Sequence, residues 1–464
     1  MQYIAATYQI RCAPEQIAAI SRDICLEQTV EVPEHLVRSR EIRDNIVAKV
    51  HEIRQAAAAS ENTFSVEIHY PVKLASAQLP QLLNLVYGNI SLKRNIRLVD
   101  LDLPKNLLKH FSGPNFGVDG IRKLLEVYGR PLIATALKPR GAPVDALVRM
   151  AYDFALGGGD IVKDDHNLAN TTLYGFVERV ERCNAAVQKA NAETGGKCLY
   201  IPNLTAPFEH VEFLLETILH LGIRGVMVAP LTLGLDTVRY LVQQHNLFII
   251  AHPTLTGAFL NDTYHGIAPG LLLGKLFRLI GADVSIFPNA GGRFAMTKDD
   301  CREIAQQLLA PMPGIAKALP APAGGMHFED IPEMVDFYGH DAIFLIGGAL
   351  LSNSEDLCKS TETLVAKISK CSDGENVARK KQHESSCEIP AFKAPGGILS
   401  LLPFQGDFTW KGRKASVYKA TGDLYFQGVA RQELIGRFGE NTSFDLRYFE
   451  IEPGGYSSLE KHHH

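Results

Sequence analysis

The sequence predicts an α/β protein in three parts: a small N-terminal α+β domain, a (β/α)8 barrel, and a partial all-β tail. Three observations predict it. Eight apolar, strand-like runs alternate with amphipathic stretches between about residues 131 and 370. No G-x-G-x-x-G follows a strand, so a doubly wound open sheet lacks its usual fingerprint. The texture of the chain changes before the first of these runs and again after residue 370.

The N-terminal part, residues 1–112, carries "MQYIAATYQI", "FSVEIHYPVK" and "IRLVDLDLP", which read as strands. Helices are expected near "APEQIAAISRDIC" and "SAQLPQLLNLVYG", giving a small layered α+β unit.

Residues 113–370 hold the barrel. Its strands are expected at 131–139, 160–165, 198–204, 225–230, 247–253, 283–289, 314–322 and 342–348. Runs of this kind are apolar on both faces, as parallel strands under a layer of helices must be. Eight such units in roughly 240 residues match the usual size of the closed barrel. The seventh run is diluted by glycine and proline.

Residues 371–395, within "KCSDGENVARKKQHESSCEIPAFKAPGG", are polar and without period, as in a linker. From 396 to 464, "SVYKATGDLYFQGVARQELIG" and "TSFDLRYFEIEPGGYSSLEKHHH" alternate like antiparallel strands with glycine turns. "LYFQG" and "HHH" look like protease and affinity tags but sit inside this patterning, and are read as native.

Composition limits the function. The chain is 46% hydrophobic and 21% charged, as a folded core requires, and its net charge of -4 gives no reason to expect nucleic acid or an anionic membrane as partner. Its longest apolar runs are too short to span a bilayer, and the N-terminus lacks a secretory pattern. Eight scattered cysteines without a CxxC pair fit reduced, structural thiols in a cytoplasm.

In a barrel the chemistry gathers at the carboxyl ends of the strands. Those ends offer Lys138 and Arg140 after the first strand, and Lys163, Asp165 and His166 after the second. Asn203 follows the third, His252 the fifth, and Asn289 with Arg293 the sixth. Gly324 and Gly325 follow the seventh, Gly347 and Gly348 the eighth. Paired glycines there suit phosphate, because backbone N–H groups can close on oxygens without a Cβ in the way. Taken alone, "GGGDIVKDDHNLAN" reads equally as a Lys163–Asp165 ion pair at a strand end.

Together these motifs resemble the RuBisCO and RuBisCO-like family. "GGGDIVKDDHNLAN" is similar to its metal-binding signature, and "TALKPRG", "PAGGMHF" and "LIGGAL" to its other strand-tip motifs, in order. "EQTVEVP" at 27–33 and "YGNISL" at 87–92 resemble motifs of its N-terminal domain. The resemblance covers about residues 1–370.

The resemblance implies that CO2 converts Lys163 to a carbamate, which with Asp165 and His166 binds Mg2+ or another divalent ion. That ion would stabilise an enediolate while a base removes a carbon-bound proton from a phosphorylated sugar. Lys138 is the implied acid/base, against a snorkelling surface lysine. Arg140 would help neutralise charge, and His252 shuttle protons or bind hydroxyls, against a surface ion pair and a strand-capping histidine. Asn203 would support the metal or a substrate oxygen, against a turn asparagine. Arg293 would contact substrate, and Gly324, Gly325, Gly347 and Gly348 the phosphate, against plain turn glycines. Glu27 and Asn89 would reach a neighbouring subunit's site, implying a homodimer. His265 and His327 receive no role.

The sequence departs from RuBisCO at three points. His166 replaces a glutamate ligand, Arg293 stands near the mobile-loop lysine, and Pro253 replaces an arginine for a second phosphate. Net carboxylation is therefore not expected. The tail stretch "RYFEIEPGGYSSLEKHHH" resembles the start of a cupin, with His462 and His464 as a His-x-His pair, but later ligands are absent. A cupin acts next to one RuBisCO-like isomerase of methionine salvage. The expected activity is accordingly isomerisation of 5-methylthioribulose 1-phosphate. Decarboxylation of a phosphorylated 3-oxo sugar acid, the 2,3-diketo-5-methylthiopentyl-1-phosphate enolase reaction, and a non-catalytic role are the alternatives.

Overall fold

The computed structural model describes residues 3–55, 62–168 and 172–372, with the backbone of 416–417, 426–435 and 446–457. Residues 1–385 form one compact unit and 386–464 a second.

The first unit opens with β1 (Tyr3–Arg11), whose alternate residues Ile4, Ala6, Tyr8 and Ile10 are buried. A strand places successive side chains on opposite faces, so this alternation gives the sheet one apolar side. β2 (Lys49–Gln55) and β3 (Thr63–Pro71) follow, then β4 (Ile96–Asp102). The helices Ile17–Glu27 and Leu79–Tyr87 share one core with the buried sheet face, through Ile24, Leu82 and Val86. Inside it Tyr8 donates to Val86 O at 2.6 Å and lies 2.8 Å from the Tyr70 hydroxyl, so neither phenol is buried unpaired.

Three strands were expected here and the sheet has five. β2 escaped notice because "KVHEIRQ" has no buried residue and no apolar alternation, as an edge strand does not require one.

The barrel strands are β5 (Leu132–Leu137), β6 (Ile161–Asp164), β7 (Leu199–Ile201), β8 (Gly225–Val228) and β9 (Phe248–Ala251). A two-residue strand, β10 (Gly266–Ile267), then leaves the barrel and adds a parallel edge to β4 of the N-terminal sheet. β11 (Val284–Pro288), β12 (Leu319–Ala323) and β13 (Ile343–Leu345) complete the eight. Their spatial order is β7-β6-β5-β13-β12-β11-β9-β8, and a parallel bridge between Asn203 and Met227 joins the two ends. The sheet is thus closed.

The barrel interior is filled by Leu132, Ala134, Ile161, Ile201, Met227, Phe248, Ile250, Val284, Ile286, Leu319, Ala321 and Ile343. The helix Gly117–Leu125 plugs its amino-terminal end with Val118, Ile121 and Leu125. Gly117 has φ +60°, and a Cβ there would lie 2.8 Å from Lys317 O, so glycine is required. Buried Asp283 fixes the plug: it accepts from the N–H groups of Phe116 and Gly117 at 2.7 Å and of Ile249 at 2.8 Å.

The seventh barrel strand was expected to span 314–322 and instead runs Leu319–Ala323. The carbonyls just before it are taken by the fully buried Arg278, which donates to Ala310, Ile315 and Ala316 at 2.7–2.9 Å. Carbonyls bound to a guanidinium are not free for the strand ladder. The seven described cysteines are all free, and Cys25, Cys183, Cys198 and Cys301 are buried.

The second unit shows β14 (Ser416–Val417), β15 (Phe426–Ile435) and β16 (Leu446–Ser457) as an antiparallel sheet. His462 and His464 lie outside the described residues, as does most of the expected linker.

Candidate active site

Strand alternation builds the site. In β5, Leu132, Ala134 and Ala136 occupy the inward positions, and the next residue of that parity is Lys138. In β6, inward Ile161 leads to Lys163 and then Asp165. In the same way Ile201 leads to Asn203, and Ile250 to His252. Four strands therefore turn from apolar filling to polar tips at one end of one barrel. Parity within each strand was a signal available in the sequence.

The tips meet. Asp165 Oδ2 lies 3.2 Å from Lys138 Nζ, and its Oδ1 lies 3.2 Å from His166 Nδ1 and accepts from Asn167 N–H at 3.0 Å. The His166 ring stacks on His252 with centroids 4.4 Å apart, and His252 Nδ1 lies 2.7 Å from Thr254 Oγ1. Asn203 Nδ2 donates to the His166 carbonyl at 3.2 Å. Lys163 is 3% exposed, and its Nζ donates to Asp164 O at 3.0 Å. The simple Lys163–Asp165 pair is not what forms: Asp165 is held by Lys138 and His166 instead.

Electrostatics follow from this packing. Burial pushes the Lys163 amine down to about 8, with Asp165 opposing and Lys138 adding to the shift. Burial alone would raise Asp165. The hydrogen bonds from His166 and Asn167, with the charges of Lys138 and Lys163, override it and hold the carboxyl well below the usual carboxylate range. Burial, then Lys163 and His166, push His252 down to about 2, so its ring is neutral at physiological pH.

Sequence reasoning gave no role to the residue between Lys163 and Asp165, the last of β6. Asp164 is fully buried and points the other way, toward the outer helices. It accepts from Arg179 Nη2 at 3.0 Å, the Tyr200 hydroxyl at 2.8 Å and Asn203 N–H at 3.0 Å. Arg179 comes from the helix Leu173–Thr194, capped by Thr172, and Tyr200 from β7. Gln28 was also missed. Its amide donates to Asn84 O and Leu85 O at 2.9 Å and accepts from Ile90 N–H at 3.1 Å, pinning the segment that carries Asn89.

The remaining candidates fall into three groups. Gly324, Gly325, Gly347 and Gly348 line one cavity of about 340 Å³ with His327 and Ser352. Gly325 has φ +64° and abuts Gly292 of the neighbouring loop, where a Cβ would come within 2.4 Å of Cα. Arg140 and Arg293 are exposed in the turns after β5 and β11, and Arg293 lies 4.9 Å over the Phe294 ring. Among the described residues neither bonds to the Asp165 cluster. Asn89 Nδ2 donates to Glu27 Oε1 at 3.0 Å, and this pair, too, is bonded to none of the barrel tips.

Fold and site define a (β/α)8-barrel protein with a lysine, carboxylate and histidine cluster at the strand ends and a glycine-lined cavity beside it. The family model described as "Ribulose bisphosphate carboxylase large chain, catalytic domain" matches residues 117–384. The chain is 38% identical over 367 residues to the 5-methylthioribulose-1-phosphate isomerase of Rhodospirillum rubrum, covering 79% of this chain and 96% of that relative. It is 36% identical over 288 residues to the 2,3-diketo-5-methylthiopentyl-1-phosphate enolase of Geobacillus thermodenitrificans, covering 61% and 70%. The crystal structure of the RuBisCO-like protein from Rhodopseudomonas palustris superposes with TM-score 0.72 at 36% identity, over 80% of this chain and 98% of that one. The chain belongs to the RuBisCO large-chain family and is a RuBisCO-like protein.

Proposed function

We propose that this protein is an enolising isomerase of a phosphorylated ketose, with 5-methylthioribulose 1-phosphate as substrate. The observation that carries the reading is the convergence of Lys138, buried Lys163, Asp165 and His166 at the strand tips. The isomerase is preferred over the enolase on similarity: the chain is 38% identical to the former over 367 residues, against 36% over 288 or 30% over 363 for the latter.

The donor set fits a divalent ion. Lys163 is buried with its amine shifted toward the neutral form that reacts with CO2, and Asp165 is held ionised. Carbamylated Lys163, Asp165 and His166 would hold Mg2+ or a more nitrogen-tolerant ion, which supplies Lewis acidity to the oxygens of an enediolate. Lys138, half-exposed at the mouth beside Asp165, carries the proton from one substrate carbon to its neighbour. Neutral His252, oriented by Thr254, binds a substrate hydroxyl, and Asn203 steadies His166 through its carbonyl. The cavity at Gly324, Gly325, Gly347 and Gly348 takes the single phosphate, with Arg140 and Arg293 at the rim. Glu27 and Asn89 complete the site of a second copy in a homodimer.

The test is incubation of the full chain with 5-methylthioribulose 1-phosphate, bicarbonate and a panel of divalent ions in deuterated water. Isomer formation with deuterium at a former C–H position is expected. Release of CO2 from an oxo acid, or turnover of the diketo phosphate alone, would replace this reading with a decarboxylase or an enolase. Mixing a Glu27→Ala chain with a Lys163→Ala chain tests the shared site: partial recovery of activity is expected from the mixed dimer.

No helix among the described residues is long and apolar enough to cross a membrane. A cytosolic setting suits a substrate of this kind.

A further inference from the structure

Away from the barrel tips, His51, Glu67 and His69 bring three ligating atoms within 4.8 Å of one another on the outer face of the N-terminal sheet. His69 Nε2 lies 2.7 Å from Glu67 Oε1, and His51 Nε2 lies 3.9 Å from the same oxygen. The two imidazoles stack with centroids 4.1 Å apart, and Tyr3 stacks on His69 at 5.5 Å.

The backbone arranges this. Glu67 and His69 are two apart in β3, so they share a face, while Val66, Ile68 and Tyr70 are buried on the other. β2 pairs Val50 with Ile68 and then Glu52 with Glu67, which leaves His51 as the extra residue of a β-bulge. A bulge re-aims a side chain that regular alternation would send elsewhere. Across β3, the opposite residues in β1 are the small Ala5 and Thr7, which leave the face open.

We infer that His51, Glu67 and His69 form a second metal site, separate from the barrel, for a borderline divalent ion such as zinc, copper, nickel or cobalt. Two imidazole nitrogens and one carboxylate oxygen suit that class, whereas magnesium and calcium prefer oxygen throughout. Tetrahedral zinc needs donor atoms about 3.3 Å apart. The Glu67–His69 pair is already that close, and His51 is exposed enough to turn toward it. The neighbouring charges are balanced: Lys49 stands opposite His69, and Glu52, paired with Arg54, opposite Glu67. An ion here would tie β2 to β3 at an edge strand with no buried side chain of its own.

The test uses the full chain carrying His462→Ala, His463→Ala and His464→Ala, so that the terminal histidines bind nothing. After chelator treatment it is equilibrated with zinc chloride at about 10 µM free zinc, and bound zinc is counted per chain. His51→Ala and Glu67→Gln are measured in the same background. The background protein is expected to hold one equivalent more than either variant and to gain thermal stability with zinc that His51→Ala lacks. Equal zinc counts in all three overturn the proposal. His51 is an exposed side chain and Glu67→Gln keeps the shape, so folding, checked by circular dichroism, is expected to be unaffected.

Discussion

The Tyr200 hydroxyl donates to Asp164 Oδ1 at 2.8 Å on the helix side of the strand whose inner side carries Lys163. The three consecutive ionic residues Lys163, Asp164 and Asp165 therefore divide by alternation. Lys163 and Asp165 face the barrel mouth, while Asp164 spends its charge on Arg179, Tyr200 and the backbone of Asn203. One carboxylate thus joins β6, β7 and the following helix, and it fixes the height at which its neighbours stand.

Asp164→Ala is expected to cost about 3–5 kcal/mol, because it deprives buried Arg179 of its carboxylate. The midpoint of urea unfolding measures this. Asp164→Asn keeps an acceptor and is expected to cost less. An unchanged midpoint in the alanine variant would make the cluster a bystander.

Lys163→Ala is expected to reduce deuterium exchange into substrate by about 10^3-fold or more, since the loss of several kcal/mol of enediolate stabilisation corresponds to that factor. Lys163→Arg should be equally inactive, because a guanidinium cannot become a carbamate. Retained exchange in either variant removes the carbamate from the mechanism.

His166→Glu is expected to shift the preferred ion toward Mg2+ relative to Mn2+ and Zn2+, because it replaces an imidazole nitrogen by a hard oxygen. The ratio of activities across a metal panel reads it. No change in the ratio would place His166 outside the metal's reach.

Much of this was legible in advance, for identifiable reasons. Barrel strands are apolar on both sides, so "LIATAL" and "FIIA" announce themselves, and the tip residues follow them at fixed parity. β2 was not legible because none of its side chains is fully buried and its apolar residues do not alternate, and the start of β12 was misplaced because a distant Arg278 claims the carbonyls before it. Asp164 and Gln28 were overlooked for a related cause. Their partners lie between 15 and 62 residues away, and nothing local marks a polar side chain that will be satisfied from so far. The tips could be named from the sequence, but the groups that hold them could not.

Asp283→Ala is expected to destabilise the barrel by about 3 kcal/mol, because three N–H groups, those of Phe116, Gly117 and Ile249, lose a buried acceptor. It acts at the plug, beneath the apolar filling, so activity per folded molecule should be kept. A matching loss of activity would mean that the plug sets the geometry of the opposite end.

The buried thiols supply a pH test of the core. Burial pushes Cys25 up to about 12 against the pull of Arg22, and burial with nearby Asp164 pushes Cys183 up to about 12. In the unfolded chain both return to the ordinary value near 8.5. The folded state therefore keeps its protons while the unfolded state loses them, and stability falls as pH rises between those two values. The slope is about 1.4 kcal/mol per pH unit for each thiol. At pH 8 the native thiols therefore stay protonated, whereas roughly a quarter ionise when unfolded. Peptide mapping after brief iodoacetamide treatment at pH 8 should find Cys25 and Cys183 unmodified in native protein and fully alkylated in urea. A Cys25→Ser, Cys183→Ser double variant should lose less stability between pH 8.5 and pH 10 than the parent chain. Native alkylation at the unfolded rate would mean that these helices open readily and that the core around them is not the scaffold the site depends on.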